Sequence, residues 1–226
     1  MNNVIRFQFT KGEEVRYLSH LDLLRTMERA GRRAGLPIAF SQGFTARPLM
    51  SFSFPLPVGV LSEAEYADFT FAAELGPEEF VQRYNEHLPP GLQILYAARL
   101  PEKTESLQSW INAASWRVSL PGTSPEQVEE RWRQLQAVDS FVVNRETKKG
   151  SREVDIRPFV YDIFQVESYQ GGTVFSCRCG LGTESNLRME ELGELLGFSH
   201  LEATVTRTGQ FKKVGNSYFP PLGNRG

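Results

Sequence analysis

The chain has 226 residues, 40% of them hydrophobic and 16 of them Phe, with a formal net charge of −2 at pH 7. That is enough apolar material for one large domain or two small ones, and a charged fraction of 23% is ordinary for a globular protein. A uniformly basic nucleic-acid binder is excluded, and so is a helical membrane protein, because no apolar run approaches the length of a span.

The opening Met1-Asn-Asn-Val-Ile-Arg-Phe has no basic segment followed by an apolar one, so no secretory signal is expected. Cys177 and Cys179, separated by one residue, are expected to stay reduced in a cytoplasmic setting and to hold no metal. Charge is unevenly spread: residues 1–60 carry eight Lys/Arg against four Asp/Glu, residues 61–139 six against thirteen, and residues 140–226 eleven against ten. Basic ends around an acidic middle permit a local anionic ligand, and equally permit ordinary solvated faces.

Along the chain, Ile5, Phe7 and Phe9 alternate with Arg6 and Gln8, which predicts a strand over Val4–Thr10. Ser19-His-Leu-Asp22 fits a capping box and opens a helix that runs to Ala34 and stops at Gly35. Residues 38–60 read as a loop, a strand near Leu49–Phe54 and a Pro-rich turn. Tyr66–Ala72 reads as a strand, Pro77–His87 as a helix with Pro in its first turn, and Leu92–Leu100 as a strand. The order is βαββαβ, and the expected fold class is α+β with a ferredoxin-like first domain over residues 1–100.

Residues 101–112 read as a linker with a short helix around Leu107–Ile111. A second α+β domain is expected over 113–226, with similar element order and no sequence repeat of the first. Its elements are a strand at Trp116–Leu120, a helix from Ser124-Pro125 to Ala137, a strand at Phe141–Arg145 and a turn at Lys148-Lys149-Gly150. A hairpin of Val160–Ser168 and Thr173–Cys179, a helix at Leu187–Leu196, a strand at Ala203–Thr208 and a basic, aromatic tail complete it.

Candidate chemistry concentrates in the first helix. Leu23, Met27, Ala30 and Ala34 make its buried stripe, while Arg25, Arg29, Arg32 and Arg33 gather on another side. Four guanidiniums over two turns repel one another unless anions or carboxylates lie nearby, and Asp22 and Glu28 offset part of that charge. Guanidinium forks suit phosphate; a solvated helix face is the plainer reading. Ser19 and His20 sit at the helix start, where the positive end of the dipole disfavours imidazolium. A neutral His20 is a candidate base or hydrogen-bond donor, and a packed or capping histidine otherwise.

Ser41-Gln42-Gly43-Phe44-Thr45-Ala46-Arg47 reads as a binding loop. Gln42 and Gly43 precede a Phe44 able to stack on a base, and Arg47 is able to meet a phosphate, unless Phe44 plugs the core. Asp155 and Arg157 project to one side if their segment is extended, as a binding pair or as a structural brace. Lys212 and Lys213, interleaved with Phe211, Tyr218 and Phe219, suit a single-stranded nucleic acid, or a tail packed on its own domain. There is no cluster-binding cysteine motif, Walker A or dinucleotide fingerprint, metal-ligand spacing around His20, His87 and His200, or nucleophile elbow, so no cofactor is expected.

Tyr17-Leu-Ser-His-Leu-Asp-Leu-Leu-Arg25, continued by Arg32-Arg33-Ala-Gly-Leu-Pro37 and Ser41-Gln-Gly-Phe44, resembles the radical SAM-linked protein family, a bacterial domain family of unknown function. Leu56-Pro-Val-Gly59, Ser62-Glu-Ala-Glu-Tyr66, Val154-Asp-Ile-Arg157 and the basic, aromatic C-terminus continue the match over essentially the whole chain. Family members commonly read Gly-Phe-Asn-Pro-His-Pro where this chain has Gly43-Phe-Thr-Ala-Arg47-Pro48, so a loop histidine gives way to Arg47. The resemblance implies a domain fused to, or encoded beside, cobalamin-binding radical SAM proteins. The expected role is an accessory or substrate-recognition protein without catalysis of its own, with RNA as leading ligand. Two alternatives stand: a metal-independent RNA-processing enzyme using His20, and a protein-binding scaffold without RNA.

Overall fold

The computed structural model describes residues 3–147, 150–199 and 201–223. Lys148 and Lys149 of the expected turn, His200 and the last three residues lie outside them. The architecture is mixed α+β, with sheet dominant and helices few. Two compact units form, one from residues up to Ile111 together with those from Gly209 onward, the other from Asn112–Thr208. The C-terminal segment thus groups with the first unit, whereas its sequence position alone places it with the second.

The first unit runs β1 (Val4–Lys11), α1 (His20–Arg33), β2 (Met50–Phe52), β3 (Leu61–Thr70), α2 (Pro77–Asn85), β4 (Leu92–Arg99) and α3 (Leu107–Trp110). β1 is central, antiparallel to β3 on one side and β4 on the other. β2 pairs with β3 through Met50↔Phe69 and Phe52↔Ala67. Strand alternation sends Ile5, Phe7 and Phe9 to one face, where they are buried with Leu23, Met27 and Ala30 of α1 and Phe80 and Tyr84 of α2. Phe7 meets Phe69 edge-on at 4.8 Å and Phe80 at 5.0 Å, an aromatic centre worth more than its buried area alone. Gly31 lets α1 close on the chain that follows it: an added Cβ would stand 2.7 Å from Ile38 Cδ1.

The other face of β1 is polar and also buried. Arg6 is 2% exposed. Its Nε and Nη2 donate to Asp68 Oδ1 and Oδ2 at 2.8 and 2.9 Å, and Nη2 also donates to the Glu105 carbonyl at 3.0 Å. Gln8 Oε1 accepts from both Tyr66 and Tyr96 hydroxyls, and its Nε2 donates to Glu63 O. Burial, with Tyr96 alongside, pushes the Tyr66 phenol well above its ordinary value. The stretch expected to be a linker is therefore tied down. Thr104 caps a turn on Pro101, Ser106 caps α3, and Leu107 is buried.

The second unit runs β5 (Ala113–Pro121), α4 (Pro125–Gln136), β6 (Val142–Thr147), β7 (Gly150–Asp155), β8 (Val160–Tyr169), β9 (Gly172–Gly180) and α5 (Met189–Leu196). β10 (Thr204–Val214) then carries the chain from this unit into the first, where β11 (Ser217–Phe219) folds back on it. β5 and β8 flank β9, both antiparallel, and β10 lies beyond β5. β6 and β7 form a separate two-stranded ribbon. β7 and β11 go beyond the elements expected from the sequence. β7 is strongly polar and mostly exposed, which hides it from a hydrophobicity pattern, whereas Gly215-Asn216 between Val214 and Ser217 is a recognisable hairpin turn.

Arg145 of β6 braces the ribbon onto α5, donating to Glu191 Oε1 at 2.6 Å and Oε2 at 2.7 Å, and to Asn186 O at 2.6 Å. Breaking a buried ion pair on one side strands the other charge, at a cost of about 3–5 kcal/mol. Asp68→Ala should lower the unfolding free energy measured in urea by that amount, about 3–5 kcal/mol. Arg6→Met/Asp68→Leu should recover most of it, because neither charge is then left unpaired.

Candidate functional site

α1 is capped as its sequence predicts. Ser19 Oγ accepts from the Asp22 amide at 3.2 Å and donates to Asp22 Oδ2 at 2.7 Å, so the Ser19 hydroxyl is spent on the cap. His20, half-buried, presents its ring edge-on to Phe52 at 6.2 Å. No carboxylate orients it among the described residues. The arginine face is real and partly neutralised from within. Arg25 lies 3.4 Å from Asp22, Arg32 2.6 Å from Glu28, and Arg33 donates to the His87 carbonyl at 2.7 Å. Arg29 is exposed and has neither ion pair nor side-chain hydrogen bond among the described residues.

The loop after α1 is closed at its base. Phe40 bridges Pro48, the Ser41 amide donates to Arg47 O at 2.8 Å, and the Arg47 amide donates to Ser41 Oγ at 3.0 Å. Gly43 at φ +140° turns the tip. Phe44 stands wholly in solvent, at 114% of the reference accessibility, with Gln42 and Arg47 also exposed. Leaving a Phe side chain in water forgoes roughly 1.5–3 kcal/mol of burial, so Phe44 does not plug the core. Tyr17, 73% exposed under the Arg16 guanidinium, and Leu21 extend the apolar exposure beside the α1 start. Periodicity and charge do not single out Tyr17, although it opens the chain's most distinctive motif; Leu21, whose helical spacing places it beside the buried stripe, is instead 62% exposed.

The remaining candidates separate from these. Asp155 and Arg157 lie in the second unit and do not project together from an extended segment, because Ile156 is helical (φ −100°, ψ −7°) and Arg157 opens a 3-10 turn. Asp155 Oδ1 accepts from the Phe141 and Arg157 amides at 2.9 and 3.1 Å. Arg157 donates to Leu135 O at 2.8 Å and stacks over Trp132. Both side chains are consumed as braces. Lys212 and Lys213 part company on β10. Lys213 shares a face with Tyr218, which packs on Phe211 at 5.8 Å, while Lys212 stands opposite Phe219 on the other. That second face lines a cleft together with Arg6, on the side of the β1 sheet away from α1.

Cys177 and Cys179 are fully buried, their sulfurs 3.9 Å apart. The hydrogen bond to Cys177, then burial, push the Cys179 thiol well above its ordinary value of 9.0, which suppresses the reactive thiolate. Among the described residues no three His, Cys, Asp or Glu side chains are placed to hold a metal ion. Among the described residues no helix is long and apolar enough to cross a membrane.

The Phe141 amide, followed by the Arg157 amide, holds the Asp155 carboxyl below its ordinary value of 3.8. A carboxyl depressed in the folded state contributes stability above its unfolded pKa and loses it as pH falls through the folded one. Asp155→Ala should therefore lower the melting temperature at pH 7, and the gap from wild type should close on acidification below about pH 4.

No curated protein matches the chain. A family model described as "uncharacterized protein conserved in bacteria (DUF2344)" matches residues 4–189, which takes in α1, the Phe44 loop and the second unit as far as the start of α5. The chain belongs to this bacterial family.

Proposed function

We propose that this protein is a cytoplasmic recognition module that binds single-stranded RNA through the α1 arginine face and the Phe44 loop, beside a radical SAM enzyme that supplies the chemistry. The observation that carries the reading is Phe44, held in solvent by a closed loop with Arg47 three residues on. A stacking ring next to exposed guanidiniums is the pairing by which proteins hold unstacked bases and their phosphates. Arg29 adds a cation with no internal partner among the described residues. The radical SAM association draws on sequence motifs alone, from Tyr17–Arg25 and Ser41–Phe44 through Leu56–Gly59 and Ser62–Tyr66 to Val154–Arg157.

Each unit is taken here as ferredoxin-like, a sheet that often presents RNA, although fold analogy by itself carries little weight. The β4-β1-β3 order with β2 on β3, and the β10-β5-β9-β8 order, support that description.

Fluorescence anisotropy with a labelled single-stranded RNA of mixed sequence tests the reading. Phe44→Ala should weaken binding about 5- to 150-fold, the range set by base–aromatic stacking of 1–3 kcal/mol, and Arg29→Glu should weaken it further at low salt than at high. Absence of RNA binding, with recovery of a radical SAM enzyme on affinity purification, would leave a protein scaffold instead. RNA cleavage by the wild type that is lost in His20→Ala would replace the module by an enzyme.

A further inference from the structure

The cleft on the face of the β1 sheet opposite α1 has a volume of about 600 Å³, within the range of roughly 300–1,000 Å³ that small-molecule sites occupy. Arg6 lines it, its guanidinium fixed in place by the bonds from Nε and Nη2 to Asp68 and Glu105 O. One wall is the 101–110 stretch, with Lys103 and the half-buried Trp110. The other is the β10–β11 hairpin, with Lys212 directly opposite Phe219, and Pro220 beyond.

Two features of this cleft point to a ligand class. Lys103 and Lys212 have no ion pair among the described residues, so two ammonium groups line one concavity against a single carboxylate. Glu105, also in the lining, pairs with neither. Trp110 and Phe219, the latter 47% exposed, line the cleft beside those charges. Ammonium groups bind phosphate as point charges, and aromatic faces take a planar base of any sequence. The walls are already pinned, by the Arg6 bond to Glu105 O, the Ser106 cap and the hairpin register, so little ordering cost opposes binding.

We infer that this cleft is a nucleotide-binding site, in which Trp110 and Phe219 take the base and Lys103 and Lys212 take the phosphate. It is separate from the α1 surface and does not depend on that surface binding RNA. The nucleotide is either free or one unit of a single strand.

The test titrates ATP, a labelled single-stranded RNA and inorganic phosphate into the full chain, following tryptophan emission and anisotropy. ATP or the RNA should bind saturably, and Lys103→Glu/Lys212→Glu should weaken that binding at least tenfold. For RNA the same pair should reduce the slope of log affinity against log salt by roughly 0.7, the value for one phosphate deprived of its ammonium partners. Phe219→Ala should weaken ATP or RNA about 5- to 150-fold while leaving inorganic phosphate unchanged, and Glu105→Gln should tighten both nucleotide ligands. These are surface side chains; Lys103→Gln/Lys212→Gln, checked by thermal melting, repeats the test without charge reversal.

Saturable ATP binding identifies a free nucleotide. RNA binding that is sensitive to the cleft substitutions, without ATP binding, identifies a strand. Failure of both ATP and RNA to bind, equal binding by the Lys103/Lys212 variants, or inorganic phosphate binding as tightly as ATP overturns the site. Phe44→Ala and Arg29→Glu should leave cleft binding intact, so loss of RNA binding in those variants alone speaks only to the α1 surface.

Discussion

The two-pronged bond between Arg6 and Asp68 is the constraint on which the first unit turns. It crosses the central pair of strands, β1 and β3, at the Arg6↔Asp68 register position. A charge this deeply buried is tolerable only when matched and fully hydrogen-bonded. The third donor contact, to Glu105 O, therefore has a structural consequence. It pulls the 101–110 stretch over the sheet, and that stretch becomes a wall instead of a linker. One face of β1 is thus organised by aromatic packing and the other by a polar network through Arg6, Gln8, Tyr66 and Tyr96.

This two-sided burial puts the arginine face of α1 and the Lys103–Lys212 cleft on opposite sides of the β1 sheet. α1 is committed to the aromatic face through Leu23, Met27 and Ala30, so its arginines look away from the sheet. The β10–β11 hairpin belongs to the polar face through Lys212 and Phe219. Basic residues that the chain distributes between its two ends therefore serve different surfaces. The helix arginines are moderated by Asp22 and Glu28 on the same helix, and the cleft lysines are not paired at all among the described residues. In the second unit, Arg145, Glu191, Asp155 and Arg157 show the opposite use of charge, as internal bracing around a small ribbon.

Local signals make much of this readable beforehand. The period-2 pattern of Val4–Lys11, the Ser19–Asp22 cap, the Gly35 stop and the Pro77 helix start all appear where side-chain periodicity and capping chemistry put them. The exposed Gly43-Phe44 tip is readable as a loop, though only the hydrogen-bonded closure at Ser41 and Arg47 decides that Phe44 faces water. Asp155 and Arg157 do not form the expected pair on one side because a single helical residue, Ile156, reverses the alternation. β7 is hard to read because its side chains are nearly all polar and its stability is borrowed from its partner strand.

What the amino-acid sequence determined by itself is the class of most local elements, the apolar stripe and arginine face of α1, and the absence of recognisable cofactor motifs. These follow from contacts within a few residues, where backbone geometry dictates spacing. Tertiary structure alone decided that Lys212 and Lys213 diverge, and that the C-terminal hairpin rejoins the first unit. It alone brought Lys103, Trp110 and Phe219 to one cleft. Those juxtapositions join residues about a hundred positions apart. Their physical causes are long-range bonds that no local pattern could have paired: the buried Arg6 guanidinium to Asp68 and Glu105 O, and Gln210 Nε2 of β10 to Ala64 O.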